Sequence, residues 1–490
     1  MADRQLLYFN GIHLTTGEYL TTPMTMDAFA DLLQNRPMPV EAPAVQRRAA
    51  AAAAGAAVTG VPAVRTRVPA PKFDPAKLEQ AGWGVIFAQN TDPAVYDALR
   101  PLLKLRKEQA SRLSPQRYKE YRGRDAWQKR EKAEDFLKRH GVTPGPVNPD
   151  QVPYYLLLVA DPEAIIYTGQ FSLDEQRAVG RIHFKTPEEY ANYVQSVIAA
   201  ESGARVVPRR AVVFAPTNDP ATQVSCSELA IPLLTKLKAK RPKWRLDGVT
   251  ADQATKARLR QLLSGGDPAA LVLTASHGGF AECADPLQLK RQGALICQGY
   301  DRSKIGKASY NPAKFYLSGE NIANRARIPP MITFHFACFG AGTPLFDQFP
   351  FRDGPQPPDP DAPRLAPAAF VAYLPQRLLG HPNGGALASI GHVERAWGFT
   401  FLSQHADDTA IFENALTEIM DGCPVGHAMQ MFGERFSQLN TAIARAQAQA
   451  PRKRNNANYL ALWTACKDAR NYVIVGDPAV RLPLAVVKGG

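Results

Sequence analysis

The chain has 490 residues, 45% hydrophobic and 21% charged, a globular balance too large for one ordinary core, which excludes global disorder. No run of 18 apolar residues is available to span a membrane, and the first twenty residues lack the basic-then-apolar pattern of a secretory signal. The net charge is +13, and the six cysteines contain no C-x-x-C pair, so a reducing, cytoplasmic setting without structural zinc is expected.

Residues 5–9 and 12–20 flank Asn10-Gly11, which predicts a hairpin, and an amphipathic run follows over Met26–Leu33. Residues 1–36 are thus a small hairpin/helix element, and the N-terminal piece over 1–72 is open to three readings: a prosegment, a docking element for a regulatory protein, or a strand pair completing the next unit. From 37 to 75 the chain is mostly Ala, Pro, Val and Arg, with six consecutive alanines at 49–54, a composition that predicts a linker.

Trp83–Ala88 and Tyr154–Ala160 read as buried strands, with helical patterning between them to about His140 and again over Phe184–Glu201. Alternation continues with strands at Ala211–Phe214, Leu271–Thr274, Ile332–Ala337, Ala386–Ile390 and Tyr472–Val475, and helices over 226–239, 408–420 and 425–447. This predicts a doubly wound, mostly parallel α/β sheet: a smaller first unit over 76–205 and a second over 206–490. Phe351–Pro367, rich in proline and aspartate, predicts an exposed loop that could gate a nearby site.

Basic charge concentrates in Arg100–His140, with 14 Lys/Arg against 6 Asp/Glu. Such a stretch can hold nucleic acid. Pairs such as Lys104/Glu108 and Arg130/Glu134 at i,i+4 favour a solvated helical face instead. Only four aromatics interleave with the charge, Tyr118, Tyr121, Trp127 and Phe136, so nucleic acid is not the expected partner.

There is no P-loop, H-E-x-x-H, EF-hand or G-x-S-x-G motif. Two sites remain, each where a strand should end. His277-Gly278-Gly279 follows LVLTAS, and Cys338 follows ITFHFA, 61 residues later. Function in open α/β sheets gathers at the carboxyl ends of strands, and an imidazole beside a thiol there makes a nucleophilic pair. A lone buried cysteine or a lone His-Gly turn is more often structural; the ordered conjunction is what carries weight. His335 is the rival base, but its parity in the strand should turn it away from Cys338.

His277-Gly278 and Ala337-Cys338, each closing a hydrophobic strand, resemble the catalytic elements of caspase-fold cysteine peptidases, with gingipain-type peptidases and the CHAT group nearest. YYLLLVADPEAI, AVGRIHFKTPEEYANYVQSVIAAE, ALASIGHVERAW and NYVIVGDPAVRLP extend the resemblance over roughly 80–485. It implies a caspase-hemoglobinase-type fold and an endopeptidase acting through a thioester. Cys338 would be the nucleophile, His277 the acid/base, and the backbone amides of Gly278 and Cys338 the oxyanion hole, with no cofactor or metal. Asn218 and Asp219 are the candidates to orient His277. Gln223, Glu228, His392, Glu394 and Trp397 would lie around the substrate pocket. Gln223 stands about where Arg-specific members carry an acid, so no preference for Arg or Lys is expected. The partner implied is a protein or peptide substrate, in regulated bacterial proteolysis of the stress, defence or cell-death kind. Two other readings stay open: a catalytically inactive scaffold on the same fold, and a nucleic-acid binder using residues 100–140.

Overall fold

The computed structural model describes residues 6–25, 28, 73–142, 145–347, 364–398, 409–449 and 457–485. The amphipathic run over Met26–Leu33 apart from Ala28, the 37–72 part of the linker and the 351–363 part of the loop lie outside these residues. Where that loop ends, Arg364 and Pro367 are exposed, but Leu365 and Ala366 are buried, so its last residues return to the protein body.

The N-terminal stretch supplies β1 (Leu6–Leu7), β2 (Gly11–His13) and β3 (Met24–Thr25). The first α/β half contains β4 (Trp83–Phe87), β5 (Tyr118–Tyr121), β6 (Tyr155–Val159) and β7 (Ala178–Ile182). The second opens with β8 (Arg210–Ala215), β9 (Arg245–Thr250) and β10 (Leu271–Ala275). It continues through the short strands β11 (Gly278–Phe280), β12 (Leu295–Ile296) and β13 (Tyr316–Leu317) to β14 (Ile332–Phe336). Then come β15 (Gly342–Thr343), β16 (Phe370–Val371), β17 (Ala388–His392) and β18 (Tyr472–Gly476).

Ten strands form one sheet in the order β5-β4-β6-β7-β18-β17-β14-β10-β8-β9, the mostly parallel α/β architecture expected. Interior strands such as β6 and β14 are buried at every position, which is why their sequences run apolar without alternation. In each half the chain first steps outward, β4 to β5 and β8 to β9, and then reverses inward. Reversal sends the crossover helices to opposite faces of the sheet and opens a crevice at the strands' carboxyl ends. In the second half that switch point lies between β8 and β10.

The halves meet at β18, which pairs parallel with β7 and antiparallel with β17. Packing is tight there: a Cβ on Gly180 would come within 2.2 Å of the Gly476 carbonyl oxygen. The turn that follows carries Asp477, fully buried, accepting from Trp83 Nε1 at 3.0 Å and Arg106 Nε at 2.7 Å. Arg106 also reaches Glu201 at 2.5 Å. One buried arginine therefore ties the helix Pro93–Ala110 to the returning chain.

Several expectations need correction. Residues 5–20 do not form a hairpin about Asn10-Gly11; β1 pairs with β3, and β2 joins β11 in parallel. Asn10 and Gly11 find backbone partners elsewhere in the protein, and these outcompete the local turn. Residues 100–140 are not one helical run: a helix ends at Ala110, edge strand β5 follows, and Arg130 has φ 63°, so Arg130/Glu134 is no helical pair. Strand β9, with its mixed exposed and buried pattern at the sheet edge, lacked the apolar run that marks interior strands.

Candidate active site

Strands β10 and β14 are adjacent and parallel, with Leu271 opposite Ile332 and Ala275 opposite Phe336. That register differs by 61 positions, the same separation as His277 and Cys338, so both stand two residues past paired strand ends. Neighbouring strands lie about 4.8 Å apart, which brings the two residues together at the mouth of the crevice. The approach is close enough to require glycine beside the histidine: a Cβ on Gly278 would lie 1.8 Å from the Cys338 carbonyl oxygen. His335, three residues earlier, pairs through Nδ1 with Thr274 Oγ1 at 2.9 Å, and burial lowers its pKa to about 4. It is a core residue, as its parity predicts.

Beyond β8, Asp219 caps the short helix Pro220–Val224, accepting from the Thr222 amide through Oδ1 at 3.0 Å. Its other oxygen, Oδ2, bonds His277 Nε2 at 2.8 Å. Burial pushes this carboxyl up, but the His277 ring and the Thr222 bonds outweigh it and hold the pKa down at about 2. With Nε2 engaged, His277 Nδ1 makes no hydrogen bond within the described residues. Asn218, the other orienting candidate, is committed elsewhere: its side chain bonds the Cys297 carbonyl and the Gly299 amide.

Directly after Cys338 the chain turns through Phe339, at φ 58°, a left-handed conformation that non-glycine residues rarely adopt. The Phe339 amide is anchored on the Glu394 carbonyl at 2.6 Å. This turn aims the Cys338 amide at the point the Gly278 amide also faces. Both donate to one oxygen, the carbonyl of Asn10, at 3.3 and 2.8 Å. Cys338 is fully buried, and its Sγ accepts from the Ala396 amide at 3.1 Å. Burial pushes its thiol up to about 12, against the pull of the Ala396 amide and Arg395.

The remaining pocket residues divide. Trp397 packs edge-on against Phe9, with ring centroids 4.7 Å apart. Gln223 and Glu228 are exposed on the outer side of the helical stretch, so neither lines a closed pocket. His392 is buried, bonding Asp468 Oδ1 at 3.1 Å, and the same carboxylate receives the Trp397 amide. Through Asp468 it supports the Trp397 segment. Glu394 is buried against Arg395, with a pKa raised by burial to about 8. Ser225, which sequence reasoning missed, lies fully buried in a π-helical turn and bonds the Asn10 side chain at 2.8 Å. Its signal was slight: a small polar residue two positions past Gln223.

Outside this constellation, Glu418, Cys423 and His427 are a group of potential metal donors, within 4.8 Å of one another, and the Cys423 thiol already bonds Glu418. No described helix is long and apolar enough to cross a membrane.

Among solved structures, a protease aligns with a TM-score of 0.46 and 12% identity, over 82% of this chain and 78% of its own. The complex of the pro- and mature domains of RgpB from Porphyromonas gingivalis aligns at 0.41 and 14% identity, over 82% and 79%. The separase–securin complex of Saccharomyces cerevisiae aligns at 0.33 and 10% identity, over 70% of this chain and 17% of that one. No protein-family model matches the chain, and no curated protein does.

Proposed function

We propose that the chain is a cysteine endopeptidase with Cys338 as nucleophile and His277 as general acid/base. Asp219 orients the imidazole, and the amides of Gly278 and Cys338 stabilise the oxyanion. One observation carries this reading: two backbone amides converge on a single peptide carbonyl oxygen beside the Cys338 thiol, at the mouth where His277 also ends its strand. Holding Nε2 on a carboxylate fixes the ring and leaves Nδ1 to take the thiol proton and return it to the leaving amine. Sγ attacks the substrate carbonyl, the amine departs, and water hydrolyses the thioester. The chemistry calls for no cofactor.

We assign it to regulated proteolysis of protein substrates in a cytoplasmic, bacterial setting. A cleft closed by the chain's own N-terminal stretch restrains an enzyme that would otherwise act on its surroundings. The inactive-scaffold reading draws on the buried, protonated thiol. Incubation of the purified protein with a peptide library, beside Cys338→Ala, tests the assignment: hydrolysis lost in the variant supports it. Absence of hydrolysis, together with failure of a thiol-directed acylating reagent to label Cys338, would leave the scaffold.

A further inference from the structure

The segment around Asn10 crosses the site in the manner of a peptide substrate. Upstream of the Asn10–Gly11 bond it runs antiparallel to residues 396–398: the Asn10 amide donates to the Ala396 carbonyl at 3.1 Å, and the Gly398 amide to the Tyr8 carbonyl at 3.0 Å. Downstream it pairs parallel with β11, Gly11 opposite Gly278. The Asn10 carbonyl occupies the two converging amides, and a Cβ on Gly11 would lie 3.0 Å from Cys338 Sγ. The chain then folds back, with the Leu20 amide on the Gly11 carbonyl at 3.0 Å and the Tyr19 ring 5.7 Å from that of His277.

The Asn10 side chain is wholly buried, and the pocket around it has a chemical polarity. Ser225 Oγ donates its proton to the Ala221 carbonyl at 3.0 Å and so meets Asn10 Nδ2, 2.8 Å away, with a lone pair. The Ser276 carbonyl, 3.4 Å from Nδ2, is a second acceptor. Two acceptors without a charge select an uncharged donor. An aspartate would turn a desolvated carboxylate onto two lone pairs. An arginine or lysine would bring a cation to a pocket whose neighbouring carboxylate, Asp219, is committed to His277 and Thr222.

We infer that this pocket reads asparagine before the scissile bond, that Ser225 is its specificity-determining residue, and that the chain's own Asn10–Gly11 bond is its first substrate. The inference rests on the peptidase reading. Cys338 Sγ bonds to the Asn10 carbonyl carbon while its proton passes to His277. The Asn10–Gly11 C–N bond breaks, and the Gly11 amine takes that proton. Water then hydrolyses the thioester, leaving an Asn10 carboxylate and the free thiol. Severing the segment frees the two amides for the next substrate.

The test uses the full chain, wild type and Cys338→Ala. Intact mass is followed over time, and kcat/KM is measured on fluorogenic peptides with Asn, Asp, Gln, Ala, Arg or Lys before the reporter amide. The wild type should lose the residues up to Asn10, and Cys338→Ala should not. Asn peptides should exceed Asp and Arg peptides by about a hundredfold. Ser225→Ala should lower the Asn rate roughly tenfold and leave the Ala peptide within about twofold, since only the amide contact is removed. Faster turnover of Arg or Lys peptides, or an active wild type that keeps its Asn10–Gly11 bond intact, overturns the inference and leaves the peptidase reading standing. A chain inert to every peptide and to its own bond, with Cys338 unlabelled by a thiol-directed acylating reagent, takes both down.

Discussion

Cys338, His277 and Asp219 come from three different strand ends, and each has one partner that only another element supplies. Cys338→Ala and His277→Ala should each abolish hydrolysis, with an unchanged melting temperature in the first and a lowered one in the second, where buried Asp219 loses its ring partner. Serine at Cys226, Cys283, Cys297, Cys423 or Cys466 should leave turnover within about threefold. Asp219 has two tasks, and two substitutions separate them. Asp219→Ala should lower both kcat, by about a hundredfold, and the melting temperature, because the helix cap is lost with the carboxylate. Asp219→Asn keeps a capping oxygen but loses the charged bond to His277, so kcat should fall as far while the melting temperature falls less than in Asp219→Ala. The carboxyl's folded pKa, about 2, lies below its ordinary value, so its contribution to stability is complete above roughly pH 4. That contribution fades as pH falls toward 2. Urea midpoints of wild type and Asp219→Asn should therefore converge between pH 4 and 2 and stay parallel above.

At the scale of elements, the joint between the two halves is the place where one substitution should do most harm. Strand β18 arrives last in sequence yet lies between β7 and β17, and the buried Arg106–Asp477 pair locks the turn after it. Arg106→Met removes one charge and leaves the buried Asp477 carboxylate with neutral donors alone, Trp83 Nε1 and the Ala479 amide. The expected loss is about 3 kcal/mol, read as a lower urea midpoint with an unchanged slope. Gly180→Ala should also destabilise, since its methyl group meets backbone on β18. The Arg100–His140 stretch resolves at this scale too. Arg106 turns inward, and Arg117, Arg122 and Arg139 pair with Asp150, Glu120 and Glu131. These pairings spend part of the positive face that a nucleic-acid reading would require.

At the scale of the molecule, the N-terminal stretch closes the crevice at Cys338: Leu7, Phe9 and Met24 pack with Trp397, Leu439, Ile443 and Trp463. Cys338 is inaccessible while that stretch is seated. In His277→Ala, which preserves the thiol and removes the base, alkylation of Cys338 by iodoacetamide should be slow. Adding Gly11→Phe, whose side chain cannot fit against Sγ, should raise the labelling rate at least about tenfold. Equal rates, read by peptide mass spectrometry, would mean that something other than this stretch shields the thiol.

Strand alternation, the two strand-end residues His277 and Cys338, and the inward turn of His335 were all legible in the sequence, because apolar runs and side-chain parity are local properties of a pleated chain. The choice of Asp219 over Asn218 was not: both precede the same helix, and only the placement of Cys297 and Gly299 beside one and His277 beside the other separates them. Ser225, and not Gln223, is the buried pocket residue because positions two apart lie on opposite sides of a helix, and the tertiary fold decides which side meets Asn10. The Asn10-Gly11 dipeptide reads locally as a turn, yet the Asn10 amide and carbonyl bond residues more than 260 positions away. Tertiary pairing with β11 and residues 396–398 offers those groups buried partners that a solvated hairpin turn lacks, and so the same two residues become an extended strand across the candidate site.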